Sequence, residues 1–288
     1  MGSALGRLLR KAGLRVVTTC HGRSATTESQ ARSSCIEILP SVEDVVAQSH
    51  FVFSLVLPTA AVEVAQQYVA CRKKRPLKSV FVEANSIGLE TLSEIECLMA
   101  RYNIPLVDAA IHGGAHHLED IGTLYLSGPH AKGVEQLVQG MLRVDGLGKQ
   151  LGSASSLKLI MAGISKMLAA MFLDMGSLAE RTGLWNHFWE NCHQFYPGTM
   201  TTIERLLPTY PRHAARRVGE MREIEHLAHA SDLPSGLAHE AGEVIRRVAC
   251  VDWDQVEAES RVDIATIIRI VAKTYSSQSA AHLVEAKK

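Results

Sequence analysis

Between Gly152 and Gly183, apolar residues recur at three- and four-residue steps, at Leu157, Ile160, Met161, Ile164, Leu168, Met171, Met175 and Leu178. That is the period of one helix face, and no proline interrupts it. The spacing predicts one long helix with this face buried, opened by Gly152, Ser153, Ser155 and Ser156 and stopped by Gly183 after Arg181. A second face carries Lys158, Ala162, Ser165, Ala169 and Gly176, an amine followed by small side chains that let other groups come close.

Ahead of this helix the pattern alternates. Residues 3–12 read as a helix with Leu5, Leu8 and Leu9 on one side. Short apolar runs at 14–20, 35–39, 51–58, 79–84, 104–109 and 123–128 are separated by helical stretches, among them 59–71, 89–102 and 129–142. Strands alternating with helices of this length give βαβ units and a parallel sheet covered on both faces. After Gly152 every segment reads as helix: Leu184 to Phe195, Thr201 to Leu207, Arg212 to Ala230, Pro234 to Ala249 and Val262 to Thr274, then a weakly specified tail from Ser276. The expected fold is an α/β Rossmann-type parallel-sheet domain over 1–146 followed by an all-α domain over 147–288.

Composition narrows the function. The chain has 288 residues, 47% hydrophobic and 21% charged, enough for two domains of ordinary size. Its 30 basic and 30 acidic residues cancel, so no net field favours nucleic acid or an anionic membrane. The basic run Arg72-Lys73-Lys74-Arg75 before Pro76 reads as a solvated helix end. Six cysteines without a CxxC pair suggest buried, reduced thiols, and no segment reaches 18 consecutive apolar residues. A soluble, cytoplasmic protein is expected.

An open parallel sheet binds ligands beyond the carboxyl ends of its strands, so candidate chemistry is sought there. Gly22-Arg23-Ser24 follows the first apolar run and puts an arginine where an adenosine ribose would lie. An arginine there neutralises a 2'-phosphate, which favours NADP over NAD. Leu55-Val56-Leu57-Pro58 offers an apolar edge for a nicotinamide ring, and Asn85-Ser86 offers an amide and a hydroxyl. In Asp108-Ala109-Ala110-Ile111-His112-Gly113-Gly114, two glycines let the backbone approach a carboxylate or phosphate. His112, His116, His117 and His130 lie in a glycine-rich loop region that does not fix ligands as a helix face does, and no metal is expected. Trp185, Phe188 and Trp189 read as a helix interface, and Asp174 as the partner of a lysine or arginine.

Taken in order, Met1-Gly2, Gly22-Arg23-Ser24, Leu55 to Pro58, Asp108 to Gly114 and Gly152 to Lys158 resemble the β-hydroxyacid dehydrogenase superfamily, and within it the 6-phosphogluconate dehydrogenase-like branch. The family's SALKM-type lysine segment reads Ser155-Ser156-Leu157-Lys158-Leu159 here. The resemblance implies an NADP(H)-dependent oxidoreductase acting on a small carbonyl compound or hydroxyacid, and a homodimer through the helical domain. It makes Lys158 the general acid/base, assigns Gly2, Arg23, Ser24, Leu55, Val56, Leu57, Pro58 and Asn85 to the cofactor, and assigns His112, Gly113, Gly114 and Ala162 to the substrate. A lysine's free pKa of ~10.4 would have to be lowered for such work near neutrality.

Ala162 stands where related enzymes place an asparagine, and His112 where they have serine. Both departures make NADPH-dependent imine reduction an alternative. Met1-Gly2 matches only the end of the family's glycine-rich turn, so an N-terminally truncated nucleotide domain is expected. A dimerisation or regulatory module that has lost its cofactor is the third reading.

Overall fold

The computed structural model describes residues 1–74, 78–259 and 262–285. Arg75 of the basic run, Pro76 after it and the end of the tail lie outside them. The chain divides into two compact units, Met1–Lys158 and Leu159–Lys288.

The first unit runs α1 (Gly2–Lys11), β1 (Val17–Thr19), α2 (Ala25–Ser33), β2 (Glu37–Leu39), α3 (Val42–Ala47), β3 (Phe51–Ser54), α4 (Ala61–Lys74), β4 (Val80–Glu83) and α5 (Leu89–Arg101). It continues through β5 (Leu106–His112), α6 (Leu118–Ile121), β6 (Thr123–Ser127), α7 (Ala131–Val138) and β7 (Arg143–Gly146) into the start of α8 (Ser153–Arg181). The sheet order is β3-β4-β5-β6-β7, with β1-β2 as a separate parallel pair. Strands β3, β4 and β5 are parallel, as their apolar runs predict. Strand β6 is antiparallel to β5, and β7, which the sequence pattern did not reveal, is parallel to β6, so the sheet is mixed rather than wholly parallel. Exposure explains the oversight: β7 is Arg-Val-Asp-Gly and only its valine is half-buried.

The division of the sheet has a specific place. Doubly wound sheets order their strands 3-2-1-4-5, which puts the first strand between the second and the fourth. Here the pair β2-β1 and the run β3-β4-β5 reproduce that order around an open position. Helix α1 reaches both sides of it: a Cβ on Gly6 would lie 2.5 Å from Ile36 Cδ1 and 3.6 Å from Val16 Cγ1, and one on Gly2 would lie 3.9 Å from Leu55 Cβ. The strands facing the open position are half-buried, Val17–Thr19 throughout and Phe51, Val52 and Phe53 in β3, whereas β5 is buried from Leu106 to Ile111. Unpaired edges leave backbone groups without ladder partners.

The second unit contains the rest of α8 with α9 (Trp185–Phe195), α10 (Pro197–Leu206), α11 (Tyr210–Ala230), α12 (Gly236–Ala249), α13 (Trp253–Glu259) and α14 (Ile264–Glu285). Helix α8 corrects the sequence reading. The face expected to be buried points outward: Ile160 is 52% exposed, Ile164 61%, Met171 54% and Leu178 57%. The core instead takes Ala169, Ala170, Phe172 and Leu173. Small residues carry the contact, since a Cβ on Gly163 would lie 3.1 Å from Ile224 Cδ1 and one on Gly176 would lie 2.9 Å from Ile268 Cδ1.

Trp185, Phe188 and Trp189 do pack a helix interface, with Phe172 5.4 Å from Phe188 between ring centroids. Asp174 accepts a hydrogen bond from the Tyr275 hydroxyl at 2.7 Å, not from a lysine or arginine. Of the six free cysteines, Cys71 is buried, while Cys35, Cys97 and Cys250 are exposed.

Candidate functional site

Each apolar run of the main sheet that ends at one edge closes on a polar residue, and pairing places four of these in a single row. Ser54 pairs with Glu83, Glu83 with Asp108, and Asp108 with Ser127, across β3, β4, β5 and β6. All four are buried, at 2%, 1%, 0% and 0% exposure. A buried polar row of this kind, at the carboxyl ends of β3 and β4 and continuing through β5 into the antiparallel β6, must be satisfied internally.

Asp108 is satisfied by the start of α8. Its Oδ2 accepts from the backbone N–H groups of Gly152 (3.1 Å), Ala154 (3.0 Å) and Ser155 (3.1 Å) and from the Ser127 hydroxyl (2.8 Å). Its Oδ1 accepts from the Ser155 hydroxyl at 2.6 Å. A carboxyl group here answers the orphan donors and positive end of the helix. The cap thus comes from β5 rather than from the local serines that the sequence suggested. Gly152, at φ +93°, turns the chain into this position. Lys158 follows five residues after Ser153 and is half-buried.

Glu83 and Ser54 support the neighbouring edge. Asn85 donates its backbone N–H to Glu83 Oε1 at 2.9 Å and its side-chain Nδ2 to Ser54 Oγ at 2.8 Å. Asn85 Oδ1 accepts the Val56 backbone N–H at 2.6 Å. The amide of Asn85 therefore fixes the segment after β3. Leu55 and Val56 are half-buried, whereas Leu57 is 73% exposed and Pro58 is exposed, opening the short 3-10 turn Pro58–Ala60. Glu83 Oε2 is buried and lacks a hydrogen-bond partner. Burial pushes the Glu83 carboxyl up to about 7, Asp108 adds to the rise, and the bonds to Asn85 and Ser54 oppose it.

A dinucleotide fits this edge in part. The N-terminus of α1, without a side-chain cap, lies beside Leu55 at the carboxyl end of β3, where backbone N–H groups suit a phosphate. Gly22, Arg23 and Ser24 are exposed just beyond β1. Ser24 caps α2, accepting the Thr27 N–H at 3.3 Å. The remainder of a phosphate cradle would have to come from the open strand position.

On the other side of the row, β5 continues about 13 Å past Asp108 to the exposed His112. The His112 ring lies 6.4 Å from that of Tyr125. Gly113, at φ +118°, serves a close approach, for a Cβ there would lie 3.2 Å from Gly122 Cα. Gly114 faces open space. Ala162, one turn beyond Lys158 on α8, is half-buried, and its carbonyl accepts the Ser165 hydroxyl at 2.9 Å. Among the described residues no group of three or more His, Cys, Asp or Glu is arranged to hold a metal.

Sequence reasoning named Lys158 and Asn85 but did not place Ser54, Glu83, Ser127 and Ser155 in this buried network. The signal was the polar residue closing each apolar run, Phe-Val-Phe-Ser, Val-Phe-Val-Glu and Thr-Leu-Tyr-Leu-Ser.

Residues 1–143 match the family described as the NAD binding domain of 6-phosphogluconate dehydrogenase, and residues 179–248 match a domain of unknown function. An uncharacterised 28.5 kDa protein of Methanothermus fervidus is 27% identical over 212 residues, 73% of this chain and 80% of that protein. Among solved structures, a conserved hypothetical protein of Sinorhizobium meliloti is similar at TM-score 0.69 and 22% identity, over 94% of this chain and 92% of that one. The 3-hydroxyisobutyrate dehydrogenase of Mycobacterium tuberculosis, with L-serine, is similar at TM-score 0.65 and 16% identity, over 93% and 94%. An imine reductase of Myxococcus stipitatus with NADP+ is similar at TM-score 0.54 and 19% identity, over 94% and 96%.

Proposed function

Because the chain belongs to the 6-phosphogluconate dehydrogenase-like branch of the β-hydroxyacid dehydrogenase superfamily, we propose that it is an NADP(H)-dependent oxidoreductase acting on a small carbonyl compound or hydroxyacid, with Lys158 as the general acid/base. The observation that carries this reading is the Asp108 cap, which ties the first turn of α8 to the carboxyl edge of the sheet and so anchors the segment bearing Lys158 there. When bound, the nicotinamide supplies or accepts the hydride at the substrate's carbonyl carbon. Lys158 Nζ gives its proton to the oxygen as the negative charge develops, and takes it back in the oxidative direction. Leu55 to Pro58 would lie against the nicotinamide ring, Gly2 and the α1 N-terminus against the pyrophosphate, and Arg23 and Ser24 against the 2'-phosphate. His112, Gly113 and Gly114 would orient the substrate.

Imine reduction is favoured by one feature, the methyl group of Ala162 where related hydroxyacid enzymes have a polar amide, which leaves a less polar wall beside the reacting group. The likeness to imine reductases is consistent with it. A module without cofactor chemistry is favoured by the open strand position between β1 and β3.

Calorimetry with NADPH and NADH separates these readings when run on the 288-residue chain and on a form extended upstream by an apolar strand ending in Gly-x-Gly. NADPH binding is expected, with Arg23→Ala weakening NADPH about tenfold and NADH little, since one phosphate contact is lost. Lys158→Ala should retain NADPH affinity and lose on the order of 100-fold or more in turnover of ketoacids or cyclic imines. If neither form binds either nucleotide, the oxidoreductase reading is gone and the module remains.

A further inference from the structure

Glu83 is a buried acid with no place in the chemistry above, and its geometry gives it one. We infer that Glu83 is a positioning residue for the nicotinamide edge: its carboxyl holds the backbone of Asn85, and Asn85 in turn holds the N–H of Val56. The functional consequence rests on the cofactor reading, but the positioning itself is a property of this chain alone.

The chain of contacts is short, buried at Glu83, Asn85 and Ser54 and half-buried at Val56. Glu83 Oε1 accepts the Asn85 N–H (2.9 Å), Asn85 Oδ1 accepts the Val56 N–H (2.6 Å), and Asn85 Nδ2 donates to Ser54 Oγ (2.8 Å). Ser54 lies opposite Glu83 in the ladder, so the segment after β3 is tied to the end of β4 both through the strand pairing and through Asn85. The Val56 N–H can only donate, so it takes the Asn85 carbonyl oxygen and leaves Nδ2 to Ser54 Oγ, which sets one order for the side chain. Glu83 Oε1 accepts the Asn85 backbone N–H and so holds the position from which the side chain reaches both partners.

The groups facing Glu83 are Ser54 from β3, Asn85 beyond β4 and Asp108 from β5, and of these Asp108 is the acid. On the helix side, the Tyr68 hydroxyl is engaged at the opposite end of β4, with the Ser79 carbonyl at 2.8 Å. Glu83 and Asp108 lie side by side in the interior, and Asp108 adds to the rise of the Glu83 carboxyl while the bonds to Asn85 and Ser54 oppose it. Burial raises its value from the ordinary 4.5 to about 7. A raised folded-state value means that the network is intact while Glu83 is neutral and is weakened as pH rises through about 7, when a charge with an unpartnered Oε2 appears in the interior. The nicotinamide edge is thereby coupled to pH near neutrality.

Amide hydrogen exchange on the full chain without nucleotide tests this directly, read as the protection factor of Val56 so that the intrinsic rate cancels. In the wild type, Val56 protection should fall about tenfold or more between pH 6 and pH 9, the size of a shift of one unit or more in a coupled group. Glu83→Gln, which keeps an acceptor oxygen and cannot ionise, should hold Val56 protection constant over that range. Glu83→Ala should lower it at every pH while the amides of β5 keep theirs. A Glu83→Gln profile that follows the wild type would overturn the inference, as would full Val56 protection in Glu83→Ala. If the alanine variant does not fold, the wild-type and glutamine profiles decide alone. Parallel NADPH titrations keep the two conclusions apart: the exchange profile judges Glu83, and nucleotide binding judges the oxidoreductase reading.

Discussion

Asp108 draws donors from Ser127 in β6 and from Gly152, Ala154 and Ser155 around the start of α8, all between 2.6 and 3.1 Å. Removing the acceptor while leaving those donors buried is costly, because each unsatisfied buried group forfeits about 1–3 kcal/mol. Asp108→Ala should therefore destabilise the protein by roughly 3–5 kcal/mol and lower the thermal midpoint by about 6–20 °C for a chain of this size, read by circular dichroism. A loss below about 1 kcal/mol would mean that water replaces the carboxyl and that the cap does not anchor α8. In the sequence Asp108 is only the polar residue after Leu106-Val107, and it was read with the loop that follows. Its partners lie 19 positions away in β6 and 44 to 47 away at the start of α8, and no local pattern points to them. Lys158 was legible because its signal is local, an amine at a fixed place in a helix with a recognisable start. Glu83 was not, because an acid at the end of an apolar run looks the same whether it is solvated or buried.

At the scale of elements, periodicity identified the helices and most strands but could not say which side of an element would be covered. Helix α8 is apolar or small on nearly every side, so the stripe of large residues and the stripe of small ones were both credible inner faces. Packing chose a mixed face, Ala169, Ala170, Phe172 and Leu173, beside which Gly163 and Gly176 admit Ile224 and Ile268 at distances that a larger side chain would forbid. The division of the sheet is likewise a property of pairing. The β1-β2 ladder has three residue pairs, Val17–Glu37, Thr18–Ile38 and Thr19–Leu39, and a two-stranded ladder is marginal by itself. Its amides should exchange on the order of 100-fold faster than those of β4 and β5, as expected of a segment that opens below the global unfolding energy. Extension by an upstream strand should raise that protection. Equal protection in β1 and β5 of the 288-residue chain would show that the open position carries no local weakness.

For the whole molecule, the uncovered stripe of α8 is the feature that asks for a partner. Ile160, Ile164, Met171, Met175 and Leu178 are each 43–61% exposed on the helical unit. By length and composition α8 is also the one helix among the described residues that could cross a membrane, at a mean hydropathy of 1.6, but 39% of that window is buried inside the protein. It also carries Lys166 in an ion pair with Glu220 (2.7 Å), and Asp174 bonded to Tyr275, which suits a helix seated in a protein interface better than one in lipid. A second copy of the chain, meeting this stripe across a two-fold axis, is the occupant we propose, since an isologous contact sets the same apolar patch of each copy against the other.

The stripe is about 27 Å long and about 10 Å wide, roughly 300 Å², against the ~800 Å² per partner of an ordinary stable interface. The stripe would therefore form the apolar centre, with polar flanks completing the contact. Sedimentation at micromolar concentration should then give twice the single-chain mass, and Ile164→Glu combined with Met171→Glu should give the single-chain mass with helicity unchanged. The glutamates of the two copies are gathered around the axis, so the loss should be partly reversed at low pH, where the carboxyls are neutral. A wild-type chain that sediments as a monomer at all concentrations, in either the 288-residue or the extended form, would leave the stripe without this partner.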